Sequence, residues 1–229
     1  MPSPDLIIFD CDGVLVDSEI IAARVDAALL TEAGYPVDAT DVAERFSGLP
    51  FREILLEVER ESGTPLSASL IERSSKELDR RLGREVRAVE GAARVLQAMR
   101  VPYCICSNSP ASRIEITLRT SGLAPLFKGP VFSAYDLEGI ATKPAPDVFL
   151  HAAQHFGANP ANTFVLEDSV HGVHGAVAAG MRAIGFTGAS HSWPGHGEKL
   201  IEAGAETVIN RFAQFPDIVD ALAGMAEPI

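Results

Sequence analysis

Asp5-Leu6-Ile7-Ile8-Phe9-Asp10-Cys11-Asp12-Gly13-Val14-Leu15-Val16-Asp17-Ser18 is the stretch on which the reading of this chain turns. Leu6 to Phe9 is apolar at every position, without the alternation of a half-solvated strand. Such a run predicts a strand buried on both faces, as in parallel sheets. It stops at Asp10, and Asp12 follows after one residue. Carboxylates beside a dry core cost free energy unless a metal, a partner or hydrogen bonds offset the lost hydration. Open α/β sheets bind ligands at the carboxyl ends of their strands. The stretch therefore predicts a metal-assisted site on Asp10 and Asp12, the alternative being a loop of solvated acids. Alternation along the strand is expected to point the two side chains differently.

The 229 residues suffice for one large domain or for a core with an insertion. Hydrophobic residues make up 47%, an ordinary share for a globular protein. A net charge of −12 and a pI near 4.9 argue against nucleic acid or an acidic membrane as partner. A small anionic substrate is compatible, because a bound cation or one lysine can reverse the field locally. The opening residues lack the basic segment of a signal peptide, and no stretch approaches the roughly 20 apolar residues of a membrane span. A cytoplasmic protein, a monomer or weak homodimer, is expected. Cys11, Cys104 and Cys106 are odd in number and read as reduced thiols that fill space.

After Ser18, which fits a helix N-cap, the apolar spacing becomes helical. Helices are predicted to Gly34, across 38–63 with a break at 46–50, and over 66–82. No strand interrupts these residues, and one crossover helix would need far fewer. An inserted helical cap is therefore expected over 17–87, between core segments 1–16 and 88–229. The chain would cross at Val16-Asp17-Ser18 and at 83–88. Strands then alternate with helices: strands at 102–106, 131–132, 163–166, 182–186 and 207–209, helices at 92–100, 110–121, 147–156, 172–179 and 216–222. That alternation predicts an α/β fold, a doubly wound parallel sheet covered on both faces.

Three predicted strands end in polar groups: Asp10 with Asp12, Ser107 with Asn108, and Glu167 with Asp168. Lys143 lies in a loop between the second and third. In a parallel sheet all of them gather at one edge. The hard oxygen donors suit Mg²⁺ or Mn²⁺. A hydroxyl, an amide and a lysine suit phosphate. Together they point to phosphoryl transfer, which rests on positioning and charge neutralisation.

In these motifs the chain resembles the haloacid dehalogenase superfamily. They stand in order as Asp10-Cys-Asp12-Gly-Val-Leu-Val-Asp-Ser18, Ser107-Asn108, Lys143-Pro144 and Glu167-Asp168-Ser169-Val-His-Gly172. The resemblance implies a Rossmann-like core and a Mg²⁺-dependent phosphatase acting on a small phosphorylated metabolite, such as a sugar phosphate. It implies Asp10 as the nucleophile that forms an aspartyl-phosphate, and Asp12 as the acid and base. It further implies that Asp10, the Asp12 carbonyl, Glu167 and Asp168 hold the metal, while Ser107, Asn108 and Lys143 bind the phosphoryl group. The cap is similar to that of bacterial sugar-phosphate phosphatases, the 6-phosphogluconate phosphatases in particular, through Asp17 to Arg24, Arg45 to Gly48 and Glu90 to Ala92. The β-phosphoglucomutases are a second reading, but Ala22 and Phe51 stand where their cap His and Arg would be. A non-catalytic phosphometabolite-binding protein is a third. Arg24 and Arg52 are candidate substrate contacts, whereas Arg45 reads as a solvated charge. His171 and His174 read as surface or capping groups. His191, Trp193 and His196, in the Gly- and Pro-rich stretch 188–197, read as a plain surface loop.

Overall fold

The computed structural model describes residues 3–46 and 48–224, so Ser47, in the expected break at 46–50, lies outside the described residues. One sheet holds β1 (Leu6–Phe9), β2 (Tyr103–Ser107), β3 (Val131–Ser133), β4 (Thr163–Glu167), β5 (Arg182–Phe186) and β6 (Thr207–Ile209). All pairs are parallel, in the order β3-β2-β1-β4-β5-β6. Phe9 is in register with Ile105 of β2 on one side and with Leu166 of β4 on the other. The strand order reverses at the β1–β4 boundary, and that crevice is where such sheets take ligands.

The all-apolar β1 follows from double coverage. Ile7 and Phe9 join one core cluster with α5 (Ala92–Ala98), α6 (Ala111–Thr120) and α10 (Phe215–Gly224). Leu6 and Ile8 join the other, with α7 (Asp147–Phe156), α8 (Val170–Ala178) and α9 (His196–Glu202). Cys104 and Cys106 are buried in this second cluster, and Cys11 is buried in the first. Helix α9 was not expected from the sequence. A parallel step from β5 to β6 requires a crossover, and Leu200 docks that crossover on the sheet.

Between β1 and α5 come α1 (Glu19–Glu32), α2 (Ala39–Phe46), α3 (Phe51–Ser62) and α4 (Ser69–Glu85). Their inward side chains, such as Leu30, Val42, Val58 and Leu70, form a third cluster of their own. Ile21 and Leu82, at the ends nearest the sheet, pack into the core instead. Helix α4 runs through Gly83 to Glu85, so the return crossing is shorter than expected. The two crossings lie side by side. Val16 bridges Ala88 antiparallel, Asp17 N donates to Arg87 O at 2.9 Å, and Val89 N donates to Leu15 O at 3.0 Å. Ser18 occupies the N-cap position of α1 but makes no side-chain cap bond. Its hydroxyl is spent elsewhere, as described below. No helix among the described residues is long and apolar enough to cross a membrane.

Candidate active site

Past the end of β1, Asp10 N still donates to Leu166 O at 3.0 Å, which holds Asp10 beside the end of β4. The chain then turns. Leu15 N and Val16 N both donate to Cys11 O, at 3.0 and 3.1 Å, and Gly13 takes a φ of 79°. This turn separates the two acids. The strand alternation expected to do so does not, because residues two apart in a strand share a face. Asp12 turns toward two hydroxyls: Ser18 Oγ donates to its Oδ1 at 2.8 Å and Ser109 Oγ to its Oδ2 at 2.7 Å.

Lys143 arrives from the loop before α7 and is buried against Asp10 and Glu167. Its Nζ donates to Asp10 Oδ1 at 2.6 Å and to Glu167 Oε1. Asn108 fixes the lysine's main chain, accepting from Lys143 N at 2.8 Å and donating to Lys143 O at 3.2 Å. One of its two amide hydrogens is thus used on Lys143 O, and Asn108 also lines the cleft above. Ser107 Oγ accepts from Ser109 N at 3.0 Å, which leaves its own hydrogen to donate into the cleft that it lines.

Two glycines make room for the carboxylates. A Cβ on Gly13 would lie 1.9 Å from Asp168 Oδ2, and one on Gly172 would lie 2.0 Å from Glu167 Cδ. Glu167 Oε2 accepts from Ser169 Oγ at 3.2 Å, and the same hydroxyl caps α8 by accepting from Gly172 N at 2.9 Å.

Asp10, Glu167 and Asp168 each bring a carboxylate oxygen within 4.8 Å of the others. Burial pushes the Asp10 carboxyl well above its ordinary range against the pull of Lys143. Burial, followed by the Glu167 charge, does the same to Asp168. Burial alone would lower the Lys143 ammonium, but Asp10 and Glu167 outweigh it and push it up. One lysine thus faces more negative charge than it balances. The surplus, the hard oxygen donors and the clearance at Gly13 and Gly172 fit a divalent cation such as Mg²⁺ or Mn²⁺. The Asp12 carboxylate stands outside the three-acid group, so any part of Asp12 in holding a cation falls to its main chain.

Above these groups lies a cleft of about 550 Å³, within the range of small-molecule sites. Cap residues Glu19, Asp26 and Arg52 line it together with Arg113 of α6. Arg52 thus lies where the sequence placed it. Arg24 is exposed and lines a separate cavity with Asp17, Arg84 and Glu85, so it does not join this site. Arg45 bonds Glu61 at 2.6 Å on the exposed face of the cap. Arg113 went unread in the sequence, although it follows Ser109 and Pro110 by one helical turn. Its Nε donates to Asp79 Oδ1 at 2.6 Å and its Nη2 to Ser75 Oγ at 3.1 Å, which ties α6 to α4. Burial raises Glu19 to about 8 and Asp26 to about 7, the latter despite a 2.8 Å bond from Ser74 Oγ.

The loop expected to be plain surface is instead packed beneath the site. His191 is 4% exposed and His196 1%. His191 lines the cleft with its Nε2 3.0 Å from Asp168 Oδ2, and His196 Nε2 contacts Asp168 O at 2.7 Å. Burial lowers both imidazoles, His196 to about 4, so both are neutral at pH 7. A Gly- and Pro-rich stretch reads as a turn from composition alone, and only the three-dimensional return of the chain under β4 reveals the packing.

A doubly wound sheet with an acid–lysine cluster at its switch point, roofed by helices, defines a capped α/β enzyme. Residues 4–180 match the family described as haloacid dehalogenase-like hydrolase, and the chain belongs to that family and is a phosphatase. Among relatives, 6-phosphogluconate phosphatase of Escherichia coli K12 is 33% identical, over 83% of this chain and 86% of its own. A haloacid dehalogenase-like protein of unknown function from Agrobacterium tumefaciens is 54% identical. Its crystal structure superposes with a TM-score of 0.91 over 96% of this chain and 100% of its own. A family hydrolase from Deinococcus radiodurans, crystallised with phosphate and sodium, is 33% identical with a TM-score of 0.81 over the whole of both chains.

Proposed function

We propose that this phosphatase hydrolyses a small sugar phosphate, of the 6-phosphogluconate kind, through an aspartyl-phosphate on Asp10. The observation that carries the reading is the buried arrangement of Asp10, Lys143, Glu167 and Asp168 at the switch point of the sheet. In the first step an oxygen of Asp10 attacks phosphorus, and the ester oxygen leaves with a proton from Asp12. In the second, Asp12 takes a proton from water, whose oxygen attacks the phosphoryl group and restores Asp10. Lys143 and Ser107 hold phosphoryl oxygens through both steps. When bound by Asp10, Glu167 and Asp168, the cation supplies charge neutralisation where two anions must approach. Asn108 and Ser109 act behind these groups, on Lys143 and on Asp12.

The sugar-phosphate assignment draws support from the E. coli relative's name and from the cleft lining. Arg52 suits an anionic far end of the substrate, and the proton-holding Asp26 and Glu19 suit hydroxyls. Residues 17–87 are the cap and 1–16 with 88–229 the catalytic body, the cap opening for exchange and closing to exclude water. The test is a panel of phosphate esters, including 6-phosphogluconate, hexose phosphates and nucleotides, assayed with Mg²⁺ and again with EDTA. Phosphate release from the sugar acids, abolished by EDTA and by Asp10→Asn, is the expected result. Full activity in Asp10→Asn would overturn the mechanism. Isomerised sugar phosphate in place of released phosphate would make the enzyme a mutase.

A further inference from the structure

The sequence motifs account for Asp168 but not for what surrounds it. Two histidines, His191 from the segment between β5 and α9 and His196 at the first position of α9, reach this one residue. His196 Nε2 lies 2.7 Å from the Asp168 carbonyl oxygen. A carbonyl only accepts, so His196 carries its hydrogen on Nε2. Its Nδ1 is then free to accept from Ser192 Oγ at 3.3 Å. Trp193 stacks on the His196 ring, 4.0 Å between centroids and 10° from parallel. His191 approaches the side chain instead, with Nε2 3.0 Å from Oδ2. The contact is too bent to count as a hydrogen bond, and neither ring nitrogen has another partner. The ring also packs on the Gly13 turn, where a Cβ would lie 2.9 Å from His191 Cε1. Ser190 pins the segment in place, donating from N at 3.1 Å and from Oγ at 2.5 Å to the Asp17 carboxylate.

A buried imidazole with both nitrogens unpartnered is costly unless it serves something. His191 does not belong to the group of acids able to hold a cation. Its place is therefore behind that group, against a ligand oxygen. We propose that His191 and His196 are positioning residues for Asp168, His191 by keeping an Nε2–H against the carboxylate oxygen it approaches at 3.0 Å and His196 by holding the main chain. Outer partners of this kind fix the aim of a ligand oxygen and so set cation affinity. The inference rests on the reading of Asp168 as a cation ligand.

The probe is Mn²⁺, whose binding to the full-length protein is followed by electron paramagnetic resonance without any substrate. His191→Leu keeps the buried volume and removes the donor, whereas His191→Gln keeps an N–H. The Leu variant is expected to bind Mn²⁺ about 10–100-fold more weakly and the Gln variant to recover most of that loss. The metal-free unfolding temperatures of the two should agree. Wild-type affinity in the Leu variant would overturn the proposal. Equal losses in both variants, with equally lowered unfolding temperatures, would reduce the role to packing and also overturn it. Should His191→Leu not fold, nitrogen-15 spectra of the wild type decide: the proposal requires the Nε2–H tautomer of His191, and the Nδ1–H tautomer overturns it. Asp168→Asn separates the two levels of inference. If it binds Mn²⁺ as the wild type does, the reading of Asp168 fails. If it alone loses Mn²⁺ while the histidine variants do not, only the present proposal fails.

Discussion

Removing the Lys143 ammonium would leave Asp10 and Glu167 buried without the charge that now faces both. Lys143→Met is expected to lose about 3–5 kcal/mol of stability in EDTA, the cost of stranding one side of a buried ion pair. Urea unfolding with and without Mg²⁺ measures it, and the deficit should shrink when a cation replaces the missing positive charge. Turnover should fall by about 10²–10³-fold or more, since a lost transition-state donor alone costs that much. Gly172→Ala sets two effects against each other. Alanine in a helix gains about 0.5–1 kcal/mol over glycine, whereas overpacking costs about 1–3 kcal/mol. With the new Cβ only 2.0 Å from Glu167 Cδ, overpacking wins, and both thermal stability and Mg²⁺-dependent activity should drop. At this scale the sequence was legible where a residue type met a strand end: Asp10, Glu167 and Asp168 come together there, and Lys143 reaches Asp10 and Glu167 from its loop. It was not legible where a side chain's partner comes from far along the chain. Ser18 serves Asp12 rather than a helix end, Arg24 turns away from the cleft, and His191 reaches Asp168 from a loop that looked like surface.

Helices α4 and α6 meet across the boundary between cap and core, and Arg113 holds that meeting through Asp79 and Ser75. The ion pair is partly solvated, with side-chain exposures of 18% and 43%, so its worth is no more than about 1 kcal/mol. Arg113→Ala should therefore shift the open–closed balance of the cap by about 5-fold or less, read as a rise in KM and faster amide exchange in α4. A larger loss would mean that Arg113 also binds substrate. Asp26, on α1, carries a pH signature. Its carboxyl holds a proton up to about 7 in the fold but only to about 4 in the unfolded chain. The folded state therefore binds more protons between those values, and the stability contributed by the neutral acid is lost as pH rises through that window. Asp26→Asn removes the loss. It should leave stability near pH 4 unchanged and raise it at pH 8, by at most about 4 kcal/mol, in urea titrations at the two pH values. The amphipathic cap helices were readable from their spacing, but α9 was not, because seven residues after a Gly- and Pro-rich stretch give too few turns for a pattern.

For the whole molecule, a cation that binds the fold and not the unfolded chain stabilises it by mass action. At 100 times its dissociation constant, Mg²⁺ should add about 2.7 kcal/mol. In a chain of this length that amounts to a rise in Tm of roughly 5–10 °C over the EDTA-treated protein, measurable by calorimetry. The architecture was legible because parallel sheets write their burial into the sequence as uninterrupted apolar runs, and β1 and the Phe164–Leu166 centre of β4 are of that kind. The long strand-free interval announced the cap in the same way. The joint between the two bodies carries a further consequence. Residues 15–17 and 87–89 are hydrogen-bonded to each other, so the connectors form a two-stranded ribbon. Two independent tethers would let the cap slide sideways. A ribbon bends and twists as one piece, which leaves the cap a swing about a single axis. Displacement in such a swing grows with distance from the axis. Ser18, two residues from the Val16–Ala88 pair, then makes only a fine adjustment to Asp12, while groups at the far rim of the cap sweep a wide arc. Under the proposed mechanism one movement would serve two purposes: a vernier for Asp12 as proton donor and a wide door for the substrate.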